Sequence, residues 1–422
     1  MSKDINAMIS LEEALELVTG AVKLMPIEQV SLLESVGRVA AADLASDIDV
    51  APFAHSAMDG FALRAAQIED ASEDVTVELS VIAEVAAGDV FDGTIGEGEC
   101  VRIMTGAELP ADADAVVKYE IVRVVAGDGL PGSTVAFAAP CKVGSNVRAA
   151  GEEAKAGEVV IHKGDVISKA GVGYLASCGV LDVPVYRRPR VALMATGSEL
   201  VPPTEVPRPG HIRESNSYAM AACAAAAGAL PTILPIVPDT FDDLANAVSA
   251  AARDFDFVIT TGGAANGDFD FIKKVVDELG ELKMTLVNMR PGKAQTFGFV
   301  DGTPVFGLPG NPAAAYCGFE MIIRPALRVM QGYTFLAHPT VTARLASDVR
   351  RRDPRMTLLR STMTKAADGT YEVLPATNQS SGLFGVIQRS NCMAILPEGP
   401  KSLSAGDMIE CVLLDIPEEV EL

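Results

Sequence analysis

A chain of 422 residues exceeds what one hydrophobic core accommodates, and roughly two to four domains are expected. Its formal net charge of −22 opposes a general affinity for nucleic acid or for an anionic membrane, so any anion site has to be locally basic. Apolar residues make up 49%, Trp is absent, and the seven cysteines (100, 141, 178, 223, 317, 392, 411) are scattered and never spaced as CxxC, which argues against a disulfide framework or zinc site and for a reducing, cytoplasmic compartment.

The first residues lack a basic region followed by an apolar core, so no secretory signal is expected. Ser10 followed by Glu13 reads as a capping box, and Leu11, Ala14, Leu15 and Val18 give one apolar helix face. From Asp49 to about Cys141 short β-type runs such as VTVELSVIAEV and CVRIM alternate with Gly-Asp and Asp-Gly turns. Residues 49–145 are therefore read as a β-rich module inserted into a first domain made of 1–48 and 146–180. Within it PFAHSAMDGFAL (52–63) carries Asp59-Gly60, and RIMTGAELPADADAVVKYE (102–120) carries Thr105-Gly106. An Asp-Gly pair is ordinarily a turn. Arg148, Glu152 and Glu153 surround Gly151 in what would ordinarily be solvated loop, and 164–179 reads as a helix-bearing connector.

Residues 181–332 alternate between strand and helix. Val191 to Ala195 is a buried-strand run leading into TGSEL, and an Ala-rich helix starts near Ser215-Asn216-Ser217. The stretch from Tyr218 to Pro238 is uncharged and nearly long enough to span a bilayer, but Gly228, Pro231 and Pro235 interrupt it, so helix followed by buried strand over 232–237 is expected instead. Thr240 caps the helix carrying Leu244, Val248 and Ala251. Then comes FDFVITTGGAANGDFDFIKKVVDEL (255–279), in which a strand runs through Gly262, Gly263 and Gly267 to Asp268, Asp270 and a helix. Strand, glycine-rich loop and helix start expose backbone N–H groups to an anion, and carboxylates beside them suit a divalent cation bound with phosphate. A plain βα turn would look similar. Val305 to Leu308 is a further strand ending at Pro309-Gly310-Asn311-Pro312, where Asn311 is placed to cap a helix running to Met330. The expectation is an α/β domain of mainly parallel sheet with its ligand beyond the carboxyl ends of the strands.

From 333 to 422 short strands return (MTLLRSTM, TYEVLPA, CMAILP, MIECVLLDI), as in a small β-barrel or sandwich. Arg350, Arg351, Arg352, Arg355 and Arg360 cluster there, either as a solvated strand edge or as an arm that meets an anionic ligand.

Together MDGFA (58–62), RIMTGAELPADADAVV (102–117), NVRAAGEE (146–153), ATGSEL (195–200), ESNSYAM (214–220), TTGGAANGDFDFIK (260–273), MRPGK (289–293) and GLPGNPAAAYCGFE (307–320) resemble the MoeA family, the molybdopterin molybdenumtransferases. The motifs span nearly the whole chain in the family's order. The resemblance implies an elongated first domain, an inserted β module, a molybdopterin-binding α/β domain and a C-terminal β-barrel, assembled as a homodimer. It also implies an enzyme for which molybdate and adenylylated molybdopterin are substrates, AMP and molybdenum cofactor are products, and Mg2+ is the divalent cation. A molybdopterin adenylyltransferase and molybdoenzyme apoproteins are the protein partners it implies, with no nucleic acid and no membrane.

Carried over by motif, Asp59 and Thr105 fall on inserted-module positions that face the partner's α/β domain, and Glu199, Asp239 and Asp270 on acidic active-site positions, with Asp239 and Asp270 as metal ligands. Arg290 and Lys293 would meet phosphate or molybdate oxygens. The backbone of Gly262-Gly263 and Pro309-Gly310-Asn311 would cradle the pterin phosphate, Thr196, Gly197 and Asn216 are further substrate-binding positions, and Arg355 and Ser381 would approach the oxyanion. Ala265 and Ala314 stand where the family often has Ser, which removes two hydroxyl donors, and Arg290 stands where Lys is common. An altered or non-catalytic paralogue that binds molybdopterin or acts as a scaffold, or a tungstate-preferring one, is the alternative reading. A nicotinamide or ATP enzyme is not supported, for the chain has neither a GxGxxG fingerprint nor a P-loop.

Overall fold

The computed structural model describes residues 7–263 and 271–414. They form two compact units, one of Gln29–Val185 and one of the segments on either side of it.

Helix α1 (Leu11–Ala21) belongs to the second of these units. It opens with the expected capping box, in which Ser10 Oγ accepts from Glu13 N at 3.0 Å and Glu13 Oε2 accepts from Ser10 N at 3.0 Å. Leu11, Ala14 and Val18 enter a core shared with Met284, Val287, Ile322 and Leu327.

In the unit Gln29–Val185, strands β1 (Gly60–Leu63), β2 (Val77–Val85), β3 (Glu99–Ile103), β4 (Ala115–Lys118), β5 (Arg123–Ala126) and β6 (Thr134–Phe137) make a six-stranded sheet in the order β4-β1-β3-β2-β6-β5. Two-residue alternation sends Phe61 and Leu63 to one core and Ala62 to the other, so both faces are buried. Gly60 does not sit in a turn as an Asp-Gly pair ordinarily would. It opens β1, and a Cβ there would lie 2.1 Å from the carbonyl oxygen of Val117. A further core unites Ala40, Leu44, Ile161, Ile167 and Val183 with Leu175 of α2 (Lys169–Ser177), whose N-cap Ser168 accepts from Gly171 N.

In the other unit, β7 (Arg190–Ala195), β8 (Leu230–Ile233), β9 (Phe257–Thr261), β10 (Gly280–Leu286), β11 (Ala294–Val300) and β12 (Thr303–Leu308) form a sheet in the order β8-β7-β9-β12-β11-β10. The first four strands are parallel, and β11 and β10 extend the sheet antiparallel. Helices α3 (Asn216–Ala226), α4 (Phe241–Asp254), α5 (Phe271–Leu279) and α6 (Pro312–Gly318) cover it; alternate residues of β7 and β9 enter opposite cores, Val191, Leu193, Phe257 and Ile259 on one face, Ala192, Met194 and Val258 on the other. The strand expected over 232–237 stops at Ile233; Leu234 N still donates to Leu193 O at 2.8 Å, and the chain next meets the sheet through a bridge from Val237 to Thr196. The helix after Asn311 does reach Met330, with a π-helical turn over Phe319–Ile323 between α6 and α7 (Arg324–Met330). Asn311 occupies the N-cap position without a side-chain capping bond.

Strands β13 (Thr340–Leu345), β14 (Met356–Lys365), β15 (Tyr371–Pro375), β16 (Cys392–Leu396) and β17 (Met408–Leu413) run β14-β15-β13-β17-β16 and close on themselves by pairing of β16 with β14. The C-terminal region is thus a closed five-stranded barrel and not a sandwich, and closure removes its sheet edges. The whole is a multidomain α/β plus β protein. No described helix is long and apolar enough to cross a membrane.

Candidate active site

The parallel strands deliver their loops to one cleft of about 1640 Å3, larger than the roughly 300–1,000 Å3 of ordinary small-molecule sites. The loop after β7 contributes Thr196, Gly197 and Glu199, the segment after β8 Asp239, and the loop after β9 Gly262 and Gly263. Pro309, Gly310 and Asn311 come from the loop after β12, Arg290 and Lys293 from the stretch between β10 and β11, and Arg355 and Ser381 from the barrel. Asn216 is close by but does not line the cleft: its Nδ2 donates to Gly310 O at 2.8 Å, so it braces the loop that does. Gly262 is required by position. Its φ is +87°, and a Cβ would come 2.2 Å from Thr196 O.

Asp59 and Thr105 belong to the unit Gln29–Val185, where Asp59 Oδ1 accepts from both the N–H and the hydroxyl of Thr105 at 2.7 Å. These two bonds hold the Asp59 carboxyl below its ordinary pKa. Asp270 and Ala265 lie outside the described residues.

The electrostatics of the cleft differ from those of the chain. Among the described residues lining it, seven are Lys or Arg and four are Asp or Glu, against −22 overall. The seven cations are not equivalent. Arg355 is held by Asp353, whose Oδ1 accepts from Arg355 N at 3.0 Å and Nε at 2.8 Å and whose Oδ2 meets Nη2; Arg290 Nη1 lies 3.5 Å from the same carboxylate. The hydrogen-bonded Arg355 keeps Asp353 well below the usual carboxylate range and is itself raised by it. Arg351 is tied to the carbonyls of Lys401, Asp353 and Arg355 at 2.9–3.1 Å and to that of Pro397. By contrast the Lys293 ammonium has no hydrogen-bond or ion-pair partner among the described residues.

Residues 9–179 match the MoeA N-terminal region (domains I and II), 192–329 the probable molybdopterin binding domain, and 342–414 the MoeA C-terminal region (domain IV). The chain is 35% identical over 408 residues to the molybdopterin molybdenumtransferase of Staphylococcus aureus strain COL, covering 96% of both chains. It belongs to the MoeA family. Staphylococcus epidermidis strain ATCC 12228 has a protein of the same name that is 34% identical over 418 residues, 98% of each chain. Among solved structures, the molybdopterin biosynthesis MoeA protein of Pyrococcus horikoshii superposes with a TM-score of 0.82 at 31% identity, over 96% of this chain and 99% of that one.

Several residues that shape this MoeA cleft are not in the motifs above. Asp353 orders Arg355, and Gln379 braces the turn bearing Ser381; Arg360 lines the cleft while only 2% exposed, so for Arg360 the solvated-edge reading fails. The lone acid within the basic run RRRDPR (350–355) is the sequence signal for Asp353. Ala314 lines the cleft at 4% exposure, and its N–H is taken by Asn311 O at 3.0 Å.

Among the described residues no three His, Cys, Asp or Glu side chains are grouped to hold a metal ion. Glu199 and Asp239 nevertheless supply hard carboxylate oxygens in the cleft, and Asp239 Oδ1 accepts from Thr196 Oγ1 at 3.2 Å. Magnesium takes one or two carboxylates and completes its shell with water and substrate phosphate, so this donor set fits an ion shared with a phosphorylated substrate.

Proposed function

We propose that this chain inserts molybdenum into molybdopterin, taking adenylylated molybdopterin and molybdate and releasing AMP and molybdenum cofactor. The observation that carries the reading is the single cleft where strand-end carboxylates Glu199 and Asp239 meet a surplus of cations in an otherwise acidic chain. A pterin nucleotide and an oxyanion are both anionic, and only a locally basic site in such a chain would concentrate them.

In this scheme Lys293 and Arg290 bind and orient oxyanion and phosphate oxygens, and the backbone at Gly262, Gly263 and Pro309 to Asn311 approaches the pterin phosphate. Glu199, Asp239 and Asp270 are the acidic set that positions the pyrophosphate for cleavage. Asp239 and Asp270 would hold Mg2+, which when bound screens the pyrophosphate charge. Asp59 and Thr105 are assigned to the site of the partner in a homodimer. The enzyme is assigned to the cytoplasm, with the adenylyltransferase upstream and molybdoenzyme apoproteins downstream. The four-region division at 1–48 with 146–180, 49–145, 181–332 and 333–422 belongs to the same reading.

The test is AMP release by purified protein from adenylylated molybdopterin and magnesium, with molybdate added or withheld. Release that requires molybdate supports the reading. Tight binding of the pterin nucleotide without release, at any molybdate concentration, refutes it and favours a molybdopterin-binding scaffold.

A further inference from the structure

Gln295 is the second residue of β11, two positions beyond Lys293, and it is fully buried. Both hydrogens of its amide are spent on the loop before it: Nε2 donates to Gly292 O at 2.9 Å and meets the Met289 thioether, a weak acceptor, at 3.2 Å. Its Oε1 has no partner among the described residues. Burying an amide whose acceptor goes unused is costly, and an apolar side chain of the same length would avoid that cost. Packing alone does not account for an amide here. What an apolar residue could not supply is the bond to Gly292 O.

Helix α6 closes on the amide from its other side. A Cβ on Gly318 would lie 2.7 Å from Gln295 Oε1 and 2.9 Å from Nε2, so the last residue of α6 leaves room for the amide only as glycine. The first turn of the same helix carries Ala314, which lines the cleft, and Ala314 O would lie 3.2 Å from a Cβ on Gly292. One buried amide is thus wedged between α6 and the loop at 289–293. The ends of that loop are tied elsewhere: Met289 and Arg290 pair with Met356 and Thr357, Arg355 Nη1 donates to Met289 O at 3.2 Å, and Val287 N donates to Lys293 O at 2.9 Å. Gly292 lies between Arg290 and Lys293, so whatever fixes its carbonyl fixes the backbone from which both cations project.

We propose that Gln295 is the positioning residue of this loop, its buried amide holding the backbone of Arg290 and Lys293 in the ligand-binding conformation before any anion arrives. Ordering done in the free protein does not have to be done on binding. The inference rests on the reading that this loop meets the anionic substrates, and it assigns the order of the loop to a residue outside the family motifs.

The test uses the full-length protein and two readouts, hydrogen exchange of the segment around Val287 without ligand and the KM for molybdate in AMP release. In the parent the Val287 amide, which donates to Lys293 O, is expected to exchange at least about tenfold more slowly than an unstructured amide. Gln295→Met keeps the length of the side chain and removes the donor. Exchange there is expected to quicken about three- to tenfold and the KM to rise by a similar factor, while the melting temperature stays within about 3 °C of the parent. Gly318→Ala, which displaces the amide from the helix side, should reproduce both changes. A parent whose Val287 amide exchanges at the unstructured rate overturns the proposal, and this measurement needs no variant to fold. So does a folded Gln295→Met with a parental KM, whether its exchange is parental or faster. A melting temperature lowered by about 10 °C or more in Gln295→Met would make the residue a part of the core and likewise overturn it. Exchange that quickens in both variants of a parent that releases no AMP would leave the strut standing and refute the insertase reading.

Discussion

Replacing Lys293 with Met removes one charge from the cleft while keeping an unbranched side chain of similar length. The magnitude follows from what the ammonium does in the free protein. It has no partner among the described residues, and the backbone at 293 is held independently, its carbonyl accepting from Val287 N at 2.9 Å. Folding stability should therefore change by no more than about 0.5 kcal/mol, as for a surface substitution that breaks no contact. A charge-assisted bond from the ammonium to an oxyanion is worth about 1.5–3 kcal/mol, so the KM for molybdate should rise about ten- to hundredfold. Arg290→Met should do less, because Arg290 already shares Asp353 at 3.5 Å and brings less free charge to a ligand. The assay is steady-state AMP release against molybdate concentration at saturating pterin nucleotide, repeated at two salt concentrations, since loss of a cation should also flatten the salt dependence. An unchanged KM in a variant with parental melting temperature would show that the oxyanion does not meet Lys293. A fall of many degrees in melting temperature would show that the ammonium has a structural partner, and the reasoning would fail at its first step.

Gly262→Ala places a Cβ 2.2 Å from Thr196 O at a φ of +87°, and a loss of about 2 kcal/mol or more is expected in urea unfolding together with loss of turnover; a variant as stable as the parent would refute the close-approach account. Asp353→Asn tests the arginine cluster through pH. The Asp353 carboxyl lies below its reference of 3.8 in the folded protein, chiefly through Arg355, so its contribution is complete above that value and lost as pH falls through the lower folded one. The parent should accordingly lose melting temperature more steeply than the Asn variant below about pH 4 and no more steeply between about pH 5 and 8; parallel curves in acid would dismiss the pair as a stabilising element. Asp256 accepts from Arg187 Nη1 at 2.9 Å, Arg187 Nη2 at 2.8 Å and Arg190 N at 2.8 Å, and Asp256→Ala should cost about 2–4 kcal/mol by denaturant titration, with a change under about 0.5 kcal/mol counting against the network.

What the sequence discloses is what local chemistry decides. The capping box at Ser10 and Glu13 closes within one turn, and Thr240 caps α4 by accepting from Asp243 N, so both are visible in a few residues. The apolar run from Val191 to Ala195 likewise announces a strand with two buried faces. Gly60 was illegible for the opposite reason. What excludes a side chain there is the carbonyl of Val117, far along the chain, and Asp-Gly beside it mimics a turn. The antiparallel strands β10 and β11 are not legible because the strand–helix alternation around them points to parallel crossovers, and nothing local marks where it breaks. The Asp59–Thr105 contact depends on β1 and β3 being neighbours, which no spacing reveals.

The arginine cluster shows why residue type alone does not reveal a binding charge. Five arginines within eleven residues read as one basic arm, yet the fold divides their work. Arg351 is consumed by carbonyls and Arg355 by Asp353, so both fix the loop and bring little free charge to a ligand. Arg360 is drawn inside by closure of the barrel, where β14 pairs with β16, and its guanidinium has only carbonyl partners among the described residues. Lys293 reaches the same cleft from the α/β sheet without a partner among the described residues. A molybdate ion approaching a chain of charge −22 is repelled at long range and attracted only inside the cleft, by whichever cations have not already been neutralised. Affinity should therefore follow Lys293 and Arg360 rather than the number of basic residues. Removing Arg351 should act instead through the order of the loop it ties down.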